Sequence, residues 1–461
     1  MSKIEVNTIE SQCGSTVTLG KSGDTVTLAS GASQSGFGRT GTVNWDTTKK
    51  TASFTGVSGN GYFIDTTSSA ITITLPASPS AGDIIGVKDY ASTFSTNNLT
   101  LGRNSSNING ASEDIALSSN GQSVFLVYVD GTKGWLATQD DSSTLGGKFV
   151  TATGGNEVIT CGNFKTHVFT SPGNFIVSCA GNSVGSNTFE YLVVAGGGGG
   201  GNGCAGGSGG GGGFRSFTSL SCASPLNAPA GLTASAATFP ITVGAGGAGA
   251  PPTNPGPTSR SGSAGSNSVF STITSAGGGK GAGGSPASPD TNAAGNGGSG
   301  GGGGHSTGAG GTGNTPPVSP PQGNDGAASR PVNDDAGGSG GGAGAAGTLG
   351  SPTQAANGGA GSFIPLSFAG DSSPSYGESG PQGRFFAGGA GGSVRTSPAN
   401  PVKGTGGLGG GADGTTNTNG QNGSTNMGGG GSGGAKPGPA PAQTTGGTGG
   451  SGIVMIRYKF Q

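Results

Sequence analysis

The histidines and the paired carboxylates are the first side chains to consider for catalysis or metal binding. Only two histidines occur in the 461 residues. His167 lies in the strand-like KTHVF and His305 follows a glycine run, and neither has the spaced partners of a catalytic triad or a zinc site. Asp140 and Asp141 fall in a turn-like linker, which is more typical of a hinge than of a glycosidase. These residues predict a protein that is not an enzyme and has no metal and no cofactor.

The glycine-rich piece around Lys280, SAGGGKGAGG, is a second candidate because such loops can cradle phosphate groups. The GxxxxGK[ST] frame fails here, since Thr274 stands at the first glycine and Gly281 at the final Ser/Thr position. Nucleotide binding is therefore not expected.

The five cysteines are an odd number and show neither a CxxC motif nor clustering with histidine, so zinc and redox sites are not supported. Cys161/Cys179 and Cys204/Cys222 are separated by equal gaps. Two interpretations stay open: each pair forms a local disulfide, or the thiols are buried and unpaired.

Composition excludes further classes of protein. Aromatic residues are 6% and charged residues 9%, too few for the core and surface of an ordinary globular enzyme. A net charge of −1 leaves no basic surface for nucleic acid. No apolar run approaches the roughly 20 residues that span a bilayer, and MSKIEVNTIE lacks the apolar region of a signal peptide. We expect synthesis in a cytoplasm, with no membrane insertion.

Glycine dominates the second half of the chain, which contributes most of the 107 glycines. This glycine field begins at EYLVVAGGGGGG and ends at GIVMIRYKF, so predicted strands lie on both sides of it. Glycine does not recur at every third residue throughout, which excludes a collagen helix. The remaining solution is a set of extended threefold helices, about 3.1 Å per residue, that hydrogen-bond to their neighbours. Glycine lets these backbones meet, so Gly209–Gly213 and Gly300–Gly304 should be the most buried runs, and Gly302→Leu should collapse the domain.

The whole pattern predicts an all-β protein with three parts. Residues 1–40 hold short alternating strands that pair with copies of themselves or dock on a larger assembly. Residues 41–141 form a sandwich or barrel-like module, with strands at YFIDT, AITITLP, DIIGVKDY, NLTLG, SVFLVYVD and GWLAT. Residues 142–461 form a glycine-rich domain. Its β-framework is predicted at 148–194, 237–274 and 452–461, and its stack and loops at 195–452.

Three sets of motifs resemble proteins of bacteriophage particles. GDTVTLASGA is similar to N-terminal regions of virion fibre proteins from phages that infect cyanobacteria. GDIIGVKDYASTF, NNLTLGRNSSNING and FLVYVDGTKGWLAT resemble a β-module of phage tail and appendage proteins. FTSPGNFIV, EYLVVAGGGGGG, FPITVGAGGAG, GSNSVFSTITSAGGGKGAGG and GGSGIVMIRYKF, in this order, resemble the glycine-rich domain of phage tail-fibre adhesins over residues 148–461. That resemblance implies layers of polyglycine II helices whose distal loops contact the host receptor.

Proline-containing loops between the glycine runs are the predicted binding elements, because proline cannot donate to the stack. They lie at 250–260, 315–335, 362–386, 395–403 and 435–442. Within 315–335, Asp325, Arg330, Asp334 and Asp335 offer charges for a cation or a receptor, although a plain solvated loop is the alternative.

The sharpest candidate is 362–386, where aromatic rings beside charged groups suit a sugar or a protein receptor. Its candidate residues are Phe363, Phe368, Asp371, Tyr376, Glu378, Arg384 and Phe386. Tyr376 and Phe386 are expected to be exposed. A small core under the loop is an equal alternative for Phe363, Phe368 and Phe385.

The sequence thus predicts a phage tail fibre or receptor-binding protein that attaches the virion to the host cell surface. The expected partners are a lipopolysaccharide or outer-membrane protein receptor, and tail, baseplate or neck proteins at the N-terminus. A homotrimer located in the virion is expected. The alternative is a structural fibre, or a capsid or neck decoration, without receptor binding. A cell-surface structural protein is disfavoured because no export signal is visible.

Overall fold

The structure is a computed structural model. It describes residues 43–138, 148–182, 185–221, 224–252, 260–284, 293–305, 308–329, 336–351, 354–368, 376–395, 402–436 and 444–461. The chain divides into two compact units, Met1–Asp140 and Asp141–Gln461. Strands are the main regular secondary structure of the described parts, which contain a single 3-10 turn, Leu366–Phe368, so the predicted all-β class is confirmed. No helix among these residues has the length and apolar character to cross a membrane. The predicted anchor at 1–40 lies outside them.

In the first unit, the chain alternates between two sheets over its first six strands. Its strands are β1 (Asn44–Lys50), β2 (Phe54–Thr55), β3 (Asn60–Ile64), β4 (Ile71–Thr74), β5 (Ile84–Asp89), β6 (Leu99–Gly102), β7 (Ile115–Leu117), β8 (Ser123–Asp130) and β9 (Gly134–Ala137). The sheet orders are β1-β3-β5-β8-β9 and β2-β4-β6-β7. The six predicted strands are present as β3, β4, β5, β6, β8 and β9. Pairing among β1, β3 and β5, and among β2, β4 and β6, is parallel, so successive passes coil rather than form hairpins.

The second unit has a framework of two five-stranded paths. One has the order β10 (Val150–Thr153), β13 (Gly173–Ala180), β17 (Thr238–Thr242), β18 (Ser268–Phe270), β19 (Ile273–Ser275). The other has the order β11 (Glu157–Cys161), β12 (Phe164–Phe169), β23 (Ile453–Lys459), β14 (Thr188–Val194), β15 (Phe214–Phe217), and β16 (Leu232–Thr233) pairs with β14. A small sheet adds β20 (Ser362–Ile364), β22 (Gly383–Phe386) and β21 (Glu378–Gly380).

The strands β14 and β23 are buried on both faces, which explains why they read as continuous apolar runs rather than alternating ones. On one face Tyr191 and Ile456 join a core of aromatic rings that includes Phe175. On the other face Leu192 and Met455 pack in a second core.

Glycine segments extend from this framework as a stack of extended helices. Residues 195–202 form its centre, and their N–H groups donate in strict rotation to three antiparallel segments. N–H groups 195, 198 and 201 donate to carbonyls 213, 210 and 207; groups 196, 199 and 202 to carbonyls 266, 263 and 260; and groups 197 and 200 to carbonyls 450 and 447. The donor–acceptor distances are 2.8–3.1 Å. A rotation that repeats every third residue is the signature of a threefold helix.

The carbonyl groups of the same segment accept with the same period from three further segments, which run parallel to it. The donors are N–H groups 278, 281 and 284; 247 and 250; and 431 and 434. Residues 195–202 therefore have six neighbours, three that accept and three that donate. This six-neighbour arrangement is the predicted polyglycine II stack.

Close approach of the backbones explains the glycine content. A Cβ atom on Gly198 would lie 2.0 Å from the carbonyl oxygen of Gly279, and one on Gly302 would lie 2.1 Å from that of Gly338. Real Cβ atoms do not come so close to backbone, so no side chain fits at these positions. The runs Gly209–Gly213 and Gly300–Gly304 are buried throughout, as predicted.

The stack has two distinct ends. Its central segment starts at the end of β14 and runs eight residues away from the sheets, which is roughly 25 Å at about 3.1 Å per residue. We call the end beside the sheets the sheet end and the opposite one the far end. The hydrogen bonds between segments then show how far along the stack axis a described residue lies. Asn202 bonds at the far end to Arg260 and Gly284, whereas Phe214 bonds at the sheet end to Gln322.

Candidate functional site

The aromatic segment 362–386 lies at the sheet end, packed against the framework. Phe368 and Phe386 are 0% exposed and belong to the core that also contains Leu192 and Met455. The carbonyl oxygen of Phe368 accepts a hydrogen bond from Thr166 Oγ1 at 2.8 Å. The expected exposure of Phe386 is therefore wrong, and the core alternative holds for Phe368. Phe386 ends β22, which pairs with β20, and Phe368 ends the 3-10 turn that follows β20, so both rings reach the same core.

The remaining described candidates of this segment also have structural partners. Tyr376 is half-buried and its hydroxyl donates to Glu157 Oε2 at 2.9 Å; burial, then this bond, raises the pKa of Tyr376 to about 12. Glu378 Oε2 accepts from the N–H groups of Gly409 and Gly410 at 2.7 and 2.9 Å. The Phe363 ring lies 5.4 Å from that of Phe385, between centroids. Arg384 is half-buried in β22, and Asp371 lies outside the described residues.

The described part of the segment 315–335 runs from the sheet end toward the far end of the stack, where Ser329 donates to Gly308. Thr315 donates to Gly297 and Phe214 donates to Gln322, which puts 315–322 at the sheet end. Asp325 is exposed on the side of the stack, where its Oδ1 accepts from Gly313 N–H at 2.7 Å. The carboxylate thus accepts the hydrogen bond that a carbonyl group of a neighbouring segment would accept inside the stack. Arg330, Asp334 and Asp335 lie outside the described part of the chain.

The far end carries an exposed surface that includes Val402 and Lys403 of the predicted loop 395–403, together with Leu349 and Asp413, which the sequence did not indicate. Leu349 is 72% exposed and Val402 is 63% exposed. Leu349 precedes the point where Ser351 and Gln354 pair with each other, and Val402 lies beside it, because Val402 pairs with Gln354 and its carbonyl oxygen accepts from Ala355. Lys403 follows, and its Nζ lies 3.4 Å from Asp413 Oδ2. We call Leu349, Val402, Lys403 and Asp413 the far-end patch. It combines exposed apolar side chains with a charged pair, as protein interfaces do. An isolated leucine or valine gives no periodic signal in sequence.

Asn202 holds three chain segments together at the same end. It is 1% exposed, and its Nδ2 donates to the carbonyl oxygens of Pro251 and Thr444 at 2.6 and 3.0 Å. Its Oδ1 accepts from Arg260 N–H at 2.7 Å. One buried amide therefore fixes the described ends of two far-end connections, 250–260 and 435–444.

The residues considered above for catalysis or phosphate binding are held by contacts within the fold. His167 is 1% exposed, with Nδ1 2.6 Å from the Gly154 carbonyl oxygen and Nε2 2.9 Å from the Tyr458 hydroxyl. Burial lowers the pKa of His167. Lys280 belongs to a stack segment, where its carbonyl oxygen accepts from Gly295. The described residues contain no cluster of three His, Cys, Asp or Glu side chains that could hold a metal ion.

The described cysteines carry free thiols. Cys161, Cys179 and Cys204 are unpaired and half-buried. The first two lie at the ends of β11 and in β13, in different sheets, so the disulfide interpretation is wrong for this pair. Cys222, the suggested partner of Cys204, lies outside the described residues.

Comparison with known proteins identifies the second unit. No curated protein matches the chain. The family model of the glycine-rich domain matches residues 170–459, which is more than half of the 461 residues and includes the framework from β13 to β23 together with the stack. The chain therefore belongs to the glycine-rich domain family.

Proposed function

We propose that this protein is a phage tail fibre or receptor-binding protein that attaches the virion to the host cell through the far end of its glycine-rich domain. The observation that carries the proposal is the polarity of the stack. Sheets close one end, while described chain reversals at the other end present exposed side chains on a closely bonded backbone lattice. Recognition loops on a rigid scaffold follow the same principle.

The far-end patch has the composition that this role needs. Leu349 and Val402 offer apolar area to a receptor, and hydrogen bonds hold the backbone at both, since Thr348 donates to Asn357 and the Val402 carbonyl oxygen accepts from Ala355. Lys403 and Asp413 are 47% and 53% exposed, so they are available to a polar rim. The receptor is a host surface lipopolysaccharide or outer-membrane protein. The motifs that resemble virion fibre proteins support assembly as a homotrimer bound to tail, baseplate or neck proteins through residues 1–40.

A structural fibre, or a capsid or neck decoration, remains the alternative proposal. The specific observation in its favour is the burial of Phe368 and Phe386, because an aromatic loop was the sequence feature that separated an adhesin from a decoration. With these rings in the core, the case for an adhesin depends on the far-end patch.

The test is binding of the labelled full-length protein to a panel of cyanobacterial strains that are susceptible or resistant to the phage carrying it. The double variant Leu349→Ser with Val402→Ser removes the apolar part of the patch. Leu366→Ser is the matched control, because Leu366 is 51% exposed but lies at the sheet end. We expect selective binding to susceptible strains, a loss of about tenfold or more in the double variant, and an unchanged control.

Two results would contradict the adhesin. Equal binding to susceptible and resistant strains, or none to either by a folded protein, would favour the structural role. Loss of binding in Leu366→Ser alone would move the contact surface to the sheet end.

A further inference from the structure

A pocket of about 310 Å3 opens at the edge of the framework sheets that faces away from the glycine stack. It lies where β12 begins, β14 begins and β23 ends, which are the strand ends that point away from the glycine stack. Its volume falls at the lower end of the range for small-molecule sites. The lining residues that determine its chemistry are Phe164, Glu190, Phe217, Ser219, Tyr458 and Lys459.

Glu190 gives the pocket a neutralised carboxylate. Its side chain is 8% exposed, and its Oε2 is 2.7 Å from Arg457 Nη1 and accepts from Thr218 Oγ1 at 2.9 Å. Its Oε1 accepts from Ser219 Oγ at 2.5 Å. A carboxylate has about four acceptor positions, so Oε1 can take one further hydrogen bond. Because Arg457 already balances its charge, this position suits a neutral hydroxyl donor better than an ammonium group.

Lys459 gives the pocket a positive charge that no carboxylate of the described residues balances. The side chain is half-buried, and its Nζ lies 5.3 Å from the centroid of the Phe149 ring. No carboxylate of a described residue lies within 4.0 Å of this Nζ. A partly desolvated ammonium group attracts an anion, and a carboxylate is the simplest ligand group that satisfies it.

Aromatic rings make most of the remaining wall apolar, and Ser186 and Thr188 add two hydroxyl groups to it. Phe164 and Phe217 carry no polar atom, and the hydroxyl of Tyr458 is already 2.9 Å from His167 Nε2 in the aromatic core. A ligand therefore needs an apolar face in addition to a hydroxyl and an anionic group.

We propose that this pocket binds a hydroxylated carboxylate of the sugar-acid class, such as a uronic acid. Its carboxylate pairs with Lys459, one of its hydroxyl groups donates to Glu190 Oε1, and the C–H face of its ring packs on the phenyl rings. An α-amino acid fits less well, because its ammonium group would meet a carboxylate whose charge Arg457 already neutralises. The site is independent of the far-end patch and of host attachment.

The test uses the full-length protein, with D-glucuronate as the probe and D-glucose and L-alanine for comparison. Saturation-transfer NMR and calorimetric titration measure binding. We expect glucuronate to bind about tenfold more tightly than glucose or alanine, since a charge-assisted hydrogen bond contributes a factor of about that size. Equal affinity for glucuronate and glucose, or no saturation transfer from any probe, would overturn the proposal. Tighter binding of alanine would replace the sugar acid by an amino acid.

Variants separate the pocket from the rest of the surface. Lys459→Gln should weaken glucuronate binding about tenfold, and Lys459→Arg should retain most of it. Lys165→Gln is the matched control, because Lys165 is also half-buried in a framework strand with its Nζ 4.6 Å from the centroid of an aromatic ring, that of Phe460. An equal loss in Lys165→Gln, or full binding in Lys459→Gln, would contradict the assignment. Phe217→Ala provides a second wall variant, and it too should weaken binding.

Discussion

Arg457 and Glu190 lie opposite each other on the neighbouring strands β23 and β14, with Nη1 of Arg457 2.7 Å from Oε2 of Glu190. The two side chains are only 4% and 8% exposed, and the residues are 267 positions apart in the chain. The guanidinium carbon of Arg457 also lies 3.6 Å from the centroid of the Phe164 ring. This pair therefore connects β12, β14 and β23, which together carry the start and the end of the glycine field.

Removing one partner of this pair should destabilise the second unit. Arg457→Met leaves Glu190 buried without its counter-charge, and we expect a loss of about 3–5 kcal/mol in the free energy of unfolding. Scanning calorimetry measures the change, and Arg457→Met with Glu190→Leu should recover part of it. Both tryptophans, Trp45 and Trp135, lie in the first unit, so their fluorescence transition should stay unchanged. A loss below about 1 kcal/mol would show that the pair is not stabilising.

A single methyl group in the stack should be as harmful as a large side chain. Gly302→Ala places a Cβ 2.1 Å from the carbonyl oxygen of Gly338, and backbone on both sides cannot yield. We expect a loss above about 3 kcal/mol, beyond ordinary overpacking, and collapse of the domain in Gly302→Leu. Limited proteolysis of the second unit measures it. Gly173→Ala in β13 is the control within the same unit, since its Cβ would lie 3.6 Å from the Phe169 ring, an ordinary van der Waals contact, and its effect should stay within about 0.5 kcal/mol.

Acid should weaken the second unit through His167. Burial lowers the folded-state pKa of His167 below its ordinary value of 6.5, so the unfolded chain takes up the proton first as the pH falls. The stability due to neutral His167 is present above pH 6.5 and is lost below it, by at most about 1.4 kcal/mol per pH unit. Melting temperatures between about pH 7.5 and 5 measure the slope. The slope should be shallower in His167→Gln, and an identical slope would assign the acid sensitivity to other groups.

Loss of the Asn202 amide should loosen the far end alone. Asn202→Ala leaves the carbonyl oxygens of Pro251 and Thr444 and the N–H group of Arg260 without this partner, and we expect about 2 kcal/mol of local destabilisation. Hydrogen exchange should accelerate at Arg260, while amides of β23 stay protected. Asn422→Ala is the matched control, because Asn422 is exposed and makes one such bond, from Thr448 N–H at 2.9 Å. Equal acceleration in the two variants would contradict the role of Asn202.

The strands and the glycine stack could be predicted because they depend on local signals. EYLVV and IVMIRY are continuous apolar runs, and the absence of side chains over several turns leaves the threefold helix as the one regular solution. The role of 362–386 could not be judged by composition alone. ESG and GRFF form a short hairpin closed between Gly380 and Gly383, and SFI pairs with the other edge of GRFF, so the burial of Phe386 depends on a three-stranded sheet that composition does not reveal.

The choice of neighbours in the stack was beyond sequence reasoning. Residues 195–202 bond to segments as distant as 450, and glycine runs carry no side chains that could encode which run lies beside which. The order of the segments depends instead on the non-glycine strands and turns, which fix where along the stack axis each glycine run begins. Leu349 and Asp413 of the far-end patch were missed for a related reason, since only that register brings them to the same end as Val402 and Lys403 of the predicted loop 395–403.

The threefold rotation of the stack restricts how such a chain can evolve. Because successive N–H groups address three different neighbours, deleting or inserting one residue within 195–202 would turn every later peptide toward the wrong segment. Length changes inside a stack segment should therefore survive only in steps of three residues. The reversals between segments are not restricted to steps of three residues. Their lengths and sequences can therefore change freely while the hydrogen-bond register of the stack is kept.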